Sequence, residues 1–248
     1  MTYMVISPKE LYKAQDSLLS DVLDNANELV TKGELILAGG TALARLYLNH
    51  RISYDLDFFT GESFDPPVLQ SRLRKAGIVL EDVSMESHGV YTSQLHGYVV
   101  RNDISVKISF VEDIFWDQFK RVKVGTTPTE VIEGLYHRKL RTITGTGPKL
   151  SHTGHQLAIG GRQKARDIFD LYVLDTHHQP LPEFLKKINS HGAGVPEDAL
   201  YQGLAQMPWK DLMDEFELLE VLPPFKKPTA FEMKAHFDQI IRQLVTAS

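Results

Sequence analysis

Residues 35–60, LILAGGTALARLYLNHRISYDLDFFT, constrain the fold more than any other stretch of the chain. They read as a short apolar strand (Leu35 to Ala38), a Gly39-Gly40 turn, a short helix from Thr41, and a second strand carrying Asp55 and Asp57. Strand side chains alternate, so Asp55 and Asp57 share one face while Leu56 and Phe58 take the other. The two acids stand roughly 7 Å apart along the backbone and repel by roughly 2–3 kcal/mol at an effective dielectric near 20. Such a pair calls for a neutralising partner. A hard divalent cation fits, because Mg2+ takes one or two carboxylates together with waters and substrate phosphates. The plain alternative is a solvated strand face.

The turn upstream sharpens the choice. Two glycines between a buried strand and a helix let the backbone come close to a ligand, and the amides at the helix start then face an anion. Thr41 adds a hydroxyl at the same place. Alone, a Gly-Gly turn is a tight connection; joined to an Asp-x-Asp strand about fifteen residues on, it points to a triphosphate with its metal.

These residues also carry a resemblance. Gly39-Gly40-Thr41-Ala42-Leu43, followed by His50-Arg51-x-Ser53-x-Asp55-Leu56-Asp57-Phe58, resembles the AbiEii-type toxin family of nucleotidyltransferases, within the DNA polymerase beta superfamily. The resemblance implies a nucleotidyltransferase-like fold, an NTP substrate, Mg2+ and the setting of a bacterial toxin-antitoxin system. It also implies a third carboxylate on a strand neighbouring Asp55 and Asp57.

Bulk properties are compatible with this reading. A chain of 248 residues with 42% hydrophobic and 24% charged content can bury a substantial core. A net charge of -5 argues against a globally basic nucleic-acid binder, although a local basic groove could still hold an RNA end. With no cysteine, disulfides, thiolate metal sites and cysteine nucleophiles are excluded together. No run of eighteen or more apolar residues occurs and Met1 to Leu11 lacks signal-peptide architecture, so a cytoplasmic protein with no membrane association is expected.

In chain order, Ser7-Pro8-Lys9-Glu10 has the form of a capping box and opens an amphipathic packing helix to about Val30. Asp65-Pro66-Pro67 starts another, stopped by Gly77. Strands follow at roughly 78–85, 89–100 and 103–111. The last places Ile104, Val106, Ile108 and Phe110 on one face and Ser105, Lys107 and Ser109 on the other. This is the strand on which the third carboxylate is sought, and Ser109 stands where an acid is expected. Asp103, Glu112 and Asp113 are the substitutes at its ends. Lys107 either neutralises a phosphate, as the resemblance implies, or protects a strand edge.

Residues 115–126 read as an irregular or short-strand link, and Thr127-Pro128-Thr129-Glu130 as a helix start. Beyond it, helices are expected at about 129–143, 152–160, 162–177, 182–190, 196–206, 208–219 and 230–246. The fold class is therefore α+β: a nucleotidyltransferase-like mixed sheet with flanking helices over residues 1–126, then a helical lobe over 127–248 that completes the cleft.

The helix expected at 162–177 carries Arg162-x-Lys164-x-Arg166-Asp167-Ile168-Phe169-Asp170-Leu171-Tyr172, which resembles the family's basic-then-RDxxDLY motif. Without the family, Arg166 and Asp170 are an i,i+4 pair and Ile168, Leu171 and Tyr172 are core. With it, Lys164 and Asp167, three apart on one helix face, are expected to reach substrate or organise the metal site, and Asp170 to orient neighbours. His152 with His155, and His177 with His178, lack a visible third ligand and read as surface histidines. Trp116 and Trp209 read as core or interdomain packing.

The function expected from all this is transfer of a nucleotide from an NTP to a hydroxyl of RNA, such as tRNA, or of a protein, with a cognate antitoxin as partner. Asp55 and Asp57 would hold Mg2+ and Gly39, Gly40 and Thr41 the triphosphate. Lys107 or Lys164 would offset charge on the leaving pyrophosphate, and Arg51, His50 and Ser53 would line the cleft or shape its turn. The alternative is a catalytically degenerate nucleotide-binding or regulatory protein of the same fold, which Ser109 favours.

Overall fold

The computed structural model describes residues 7–87, 92–145, 149–150, 156–157 and 164–247. They form two compact units. The first comprises residues up to Leu48 and Ser53–Ile132; the second comprises Asn49–Ile52 and the chain from Glu133 onward.

The first unit is built on a five-stranded mixed sheet of order β1-β2-β5-β4-β3. Its strands are β1 (Ile36–Ala38), β2 (Asp55–Thr60), β3 (Glu81–Glu86), β4 (Gln94–Arg101) and β5 (Ile104–Glu112). β2 runs parallel to β5 and antiparallel to β1, and β4 pairs antiparallel with both β5 and β3. The alternation expected for the Asp-x-Asp strand and for residues 103–111 is present: Leu56, Phe58, Val106, Ile108 and Phe110 are all fully buried. Phe58 and Phe110 stack at 5.4 Å. Helices α1 (Pro8–Asp24) and α4 (Pro66–Lys75) pack along the sheet, offering Leu11, Leu18 and Val22 from one and Leu69 and Leu73 from the other. Both starts follow from local chemistry. Ser7 and Glu10 form the reciprocal capping box of α1, and the Asp65 side chain accepts from the Val68 amide to cap α4.

The first helix stops sooner than its apolar stripe suggests. Asn25 breaks it, and Ala26–Leu29 forms a separate turn, α2. After β1, helix α3 (Gly39–Ala42) begins at the first glycine and widens into a π-helical stretch, Leu43–Leu48. Arg45, on that stretch, lies 4.5 Å over the Tyr12 ring and pairs with Asp16.

Thr127–Glu130 is not a helix start. It is strand β7, paired antiparallel with β6 (Arg121–Val124) across a turn at Gly125, whose φ is +60°. A left-handed glycine is what a two-residue hairpin turn requires. Thr129 Oγ1 donates to the Leu37 carbonyl at 2.8 Å, tying β7 to β1. The first unit thus runs to Ile132, a few residues beyond the expected boundary, because 115–126 leads into a hairpin rather than a link.

The second unit contains α5 (Ile132–Thr144, from its second residue), α6 (Ala165–His177), α7 (Leu181–Ser190), α8 (Glu197–Ala205), α9 (Met213–Glu217) and α10 (Ala230–Ala247). Tyr136 stacks on Phe184 at 4.1 Å in its core. Of the helix expected at 152–160, the described residues Gln156–Leu157 instead pair with Lys149–Leu150 as β9 and β8. His152, His155 and Gly160-Gly161 lie outside the described residues. Among the described residues no helix is long and apolar enough to cross a membrane.

Candidate active site on the β2–β5–β4 face

Register decides what surrounds the aspartates. Asp55 pairs with Lys107 and Asp57 with Ser109 across the parallel β2–β5 ladder. Across the next ladder, Lys107 pairs with Tyr98 and Ser109 with His96. Residues in register share a face, so Asp55, Asp57, Lys107, Ser109, His96 and Tyr98 lie together, opposite the apolar face that α1 and α4 cover. Asp55, Asp57, Lys107 and His96 are half-buried, whereas Ser109 is buried.

The Gly-Gly turn abuts this face. Ala38 pairs with Asp57 on the β1 side, and Gly39 follows with φ +65°. A Cβ at Gly39 would collide with the Asp57 carboxylate. Glycine is therefore required twice over, for the left-handed backbone and for the close approach. Thr41 lies behind the face. It is 1% exposed, its hydroxyl donates to the Asp55 carbonyl, and it forms a hydroxyl–hydroxyl hydrogen bond with Ser53 at 2.8 Å. Gln15 Nε2 donates to the Ser53 carbonyl at 2.9 Å. Thr41 and Ser53, expected to touch nucleotide, thus hold the backbone at the start of β2.

The donor set fits Mg2+ in its usual form, with one or two carboxylates, waters and substrate phosphates. Among the described residues, no group of three or more His, Asp or Glu side chains converges as a metal cage. Ser109 faces Asp57 where an acid is expected, and the substitutes are placed elsewhere. Asp103 sits in the β4–β5 turn with φ +63°. Glu112 accepts from the Ser93 amide at 3.0 Å and from Ser63, and Asp113 accepts from the Phe115 amide at 2.9 Å.

His96 was not singled out from the sequence. Its Nε2 lies 3.0 Å from Gln94 Oε1. Burial and the Lys107 charge lower its pKa, partly opposed by Asp57 and Glu86, so the ring is neutral at pH 7. The signal available was the alternation of Leu95, Gly97 and Val99, which assigns His96 to the polar face; its pairing with Ser109 is non-local.

The second motif builds a different object. Asp170 is fully buried and receives Arg51 on both oxygens, Nε to Oδ1 at 2.6 Å and Nη2 to Oδ2 at 2.8 Å. Lys139 Nζ lies 2.7 Å from Asp170 Oδ2 and 2.6 Å from Asp167 Oδ1. His50 Nε2 is 2.7 Å from Asp170 Oδ1; a carboxylate only accepts, so this nitrogen carries the proton. Burial alone would push the Asp170 carboxyl up. The Arg51 and Lys139 charges, with hydrogen bonds from Arg51 and His50, outweigh it and hold the group well below the usual carboxylate range.

This geometry places several of the expected site residues. Arg51 is 3% exposed with its fork spent on Asp170 and its Nη1 on the Ile52 carbonyl, because residues 49–52 fold with the second unit. Asp167 is fully buried against Lys139 rather than open on a face with Lys164. Lys164 precedes the helix as its N-cap, with extended backbone (φ -121°, ψ 140°), so the i,i+3 spacing does not apply. Its Nζ pairs with Glu215 at 2.8 Å. Asp170 does orient neighbours, but through Arg51 and Lys139 from distant sequence. Lys139 was missed, although Leu135, Lys139 and Ile143 are spaced four apart and mark one buried face of α5.

Two crystal structures share this fold. A candidate nucleotidyltransferase from H. pylori matches with a TM-score of 0.53 at 19% identity, covering 100% of this chain and 99% of its own. JHP933 from Helicobacter pylori matches with a TM-score of 0.52 at 19% identity, covering 96% and 95%. None of the curated proteins matches the sequence. The family model for the nucleotidyl transferase AbiEii toxin of type IV toxin-antitoxin systems matches residues 21–232, a span that contains both motifs. The chain belongs to the AbiEii nucleotidyl transferase toxin family.

Proposed function

We propose that the β2–β5–β4 face transfers a nucleotide from an NTP to a hydroxyl acceptor, with RNA, such as tRNA, as the acceptor class and a cognate antitoxin as the cellular counterpart in the cytoplasm. The observation that carries this is the placement of Asp55 and Asp57 on one half-buried face, with Lys107 in register beside Asp55 and the Gly39 turn against Asp57.

Asp55 and Asp57 would hold Mg2+, which when bound offsets phosphate charge and orients the triphosphate. The Gly39-Gly40 backbone lets the Asp57 carboxylate lie against the turn, so phosphates drawn to a metal on Asp57 would come close to the turn's backbone. Lys107 supplies a positive charge to the departing pyrophosphate. Thr41 and Ser53 act through the backbone by fixing Asp55. Arg51, Lys139, Asp167 and Asp170 fix the second unit, and Lys164, held near the surface by Glu215, is a lesser candidate for contact with substrate. Catalysis on such a face comes mainly from alignment and electrostatics.

The test is incubation with each NTP labelled at the α or γ position, Mg2+ and total RNA. Transfer of α label, abolished by Asp57→Ala, is the expected result; transfer of γ label with no α label would assign phosphoryl transfer instead. Buried Ser109 opposite Asp57 favours a second reading, a nucleotide-binding protein without transfer. NTP binding with no label transferred to RNA or protein would establish that reading.

A further inference from the structure

The face described above has carboxylates and a lysine for phosphate, but none of the residues so far given a role there takes the proton of an incoming hydroxyl. We propose that His96 does so, accepting it on Nδ1 in the nucleotidyl transfer assigned to this face, an inference that rests on that assignment.

Three observations carry it. His96 sits in the same cross-strand row as Asp57, with the small Ser109 between them. Two strand spacings separate the backbones, on the order of 9–10 Å. A hydroxyl approaching a phosphorus held beside Asp57 to a near-attack distance of about 3–3.5 Å from the β4 side would meet His96. Ser109, the small side chain between Asp57 and His96 in that row, is itself buried.

Orientation is the second observation. Gln94 Oε1 only accepts, so the neutral imidazole holds its proton on Nε2 toward Gln94 and its lone pair on Nδ1. With Gln94 in this orientation, the lone pair stands on the nitrogen that a base requires. The third is charge. The groups facing the ring are Lys107 from β5, Asp57 from β2 and Glu86 from β3, and with burial their balance favours the neutral form.

In the step, the acceptor oxygen bonds to the α-phosphorus, the bond from that phosphorus to the bridging oxygen breaks, and pyrophosphate leaves. The hydroxyl proton passes to Nδ1 and from there to solvent.

The experiment is single-turnover transfer from α-labelled NTPs with Mg2+ to total RNA by the full chain, comparing wild type with H96A and H96Q. A general base contributes about 10²–10⁴-fold, so both variants should be at least about 100-fold slower, with NTP binding changed less than about threefold. Added imidazole should restore H96A at least about tenfold. The wild-type rate should fall as the pH drops below 6.5 and through the lowered pKa of His96, and this limb should vanish in H96A. Transfer by H96A within about threefold of wild type would overturn the inference while leaving the face's assignment intact. Full activity in H96Q, or loss in H96A without imidazole rescue, would show a structural role and overturn it as well. A wild type that transfers no label would remove the assignment and the inference together.

Discussion

The two signature motifs make two charged clusters with opposite fates. On the β2–β5–β4 face, Asp55 and Asp57 are half-buried and lie side by side with like charge. In the second unit, Arg51, Lys139, Asp167 and Asp170 are buried and charge-balanced, with carboxylate-to-cation distances of 2.6–2.8 Å. Read from sequence, Asp167 is expected at the substrate or metal site just as Asp55 and Asp57 are, whereas Asp170 is expected to orient neighbours. What separates the two clusters is burial: the second is closed within the fold, and the first stays half-buried on a sheet face. A cluster buried together with its counter-charges serves the frame, and one that stays half-buried on a sheet face is placed to meet a ligand.

The comparison breaks first at Asp170. Its replacement by alanine leaves Arg51 and Lys139 buried without their shared partner, and removing one member of a buried pair costs about 3–5 kcal/mol. Denaturant unfolding should report that loss; a change under about 1 kcal/mol would mean that the cluster is not the frame described here.

Gly39→Ala probes the edge of the open face. A side chain in the left-handed region costs about 1–2 kcal/mol, and here it also displaces the Asp57 carboxylate. Label transfer should therefore fall by more than the stability loss, converted to a rate ratio, would suggest. Equal losses would mean that the turn acts on folding alone.

Acid unfolding separates the clusters further. The folded pKa of Asp170 is depressed, so its stabilisation is full above the unfolded carboxyl value near about 4 and is lost as the pH falls through its lower folded value. Stability of the wild type should decline below about pH 4, and Asp170→Asn should flatten that decline. The smallest effect belongs to Lys164→Ala. Its ion pair with Glu215 has Lys164 half-exposed, and such pairs contribute about 0–1 kcal/mol. A loss above about 2 kcal/mol would place Lys164 among the frame residues.

Much of the open face was legible in the sequence. Alternation assigned Asp55 and Asp57 to one side of β2 and Lys107 and Ser109 to one side of β5, because strand periodicity is local. The capping residues Ser7 and Asp65 announced their helices for the same reason. What the sequence withheld is long-range. The pairing of Asp57 with Ser109 and then His96 depends on β5 lying parallel beside β2 and antiparallel beside β4. The partnership of Arg51 with Asp170 spans 119 residues, and no periodicity within either motif encodes it. The β6–β7 hairpin was missed for a local reason: Pro128 and Glu130 resemble a helix start, and the left-handed Gly125 that marks the turn was passed over.

The central claim is that the Asp55–Asp57 face serves a ligand rather than the fold, and Asp57→Asn tests it most directly. Unfolding free energy and α-label transfer, measured on the same preparation, should show stability unchanged within about 0.5 kcal/mol and transfer abolished. A variant that loses stability as Asp170→Ala does, or that transfers label at the wild-type rate, would contradict the account.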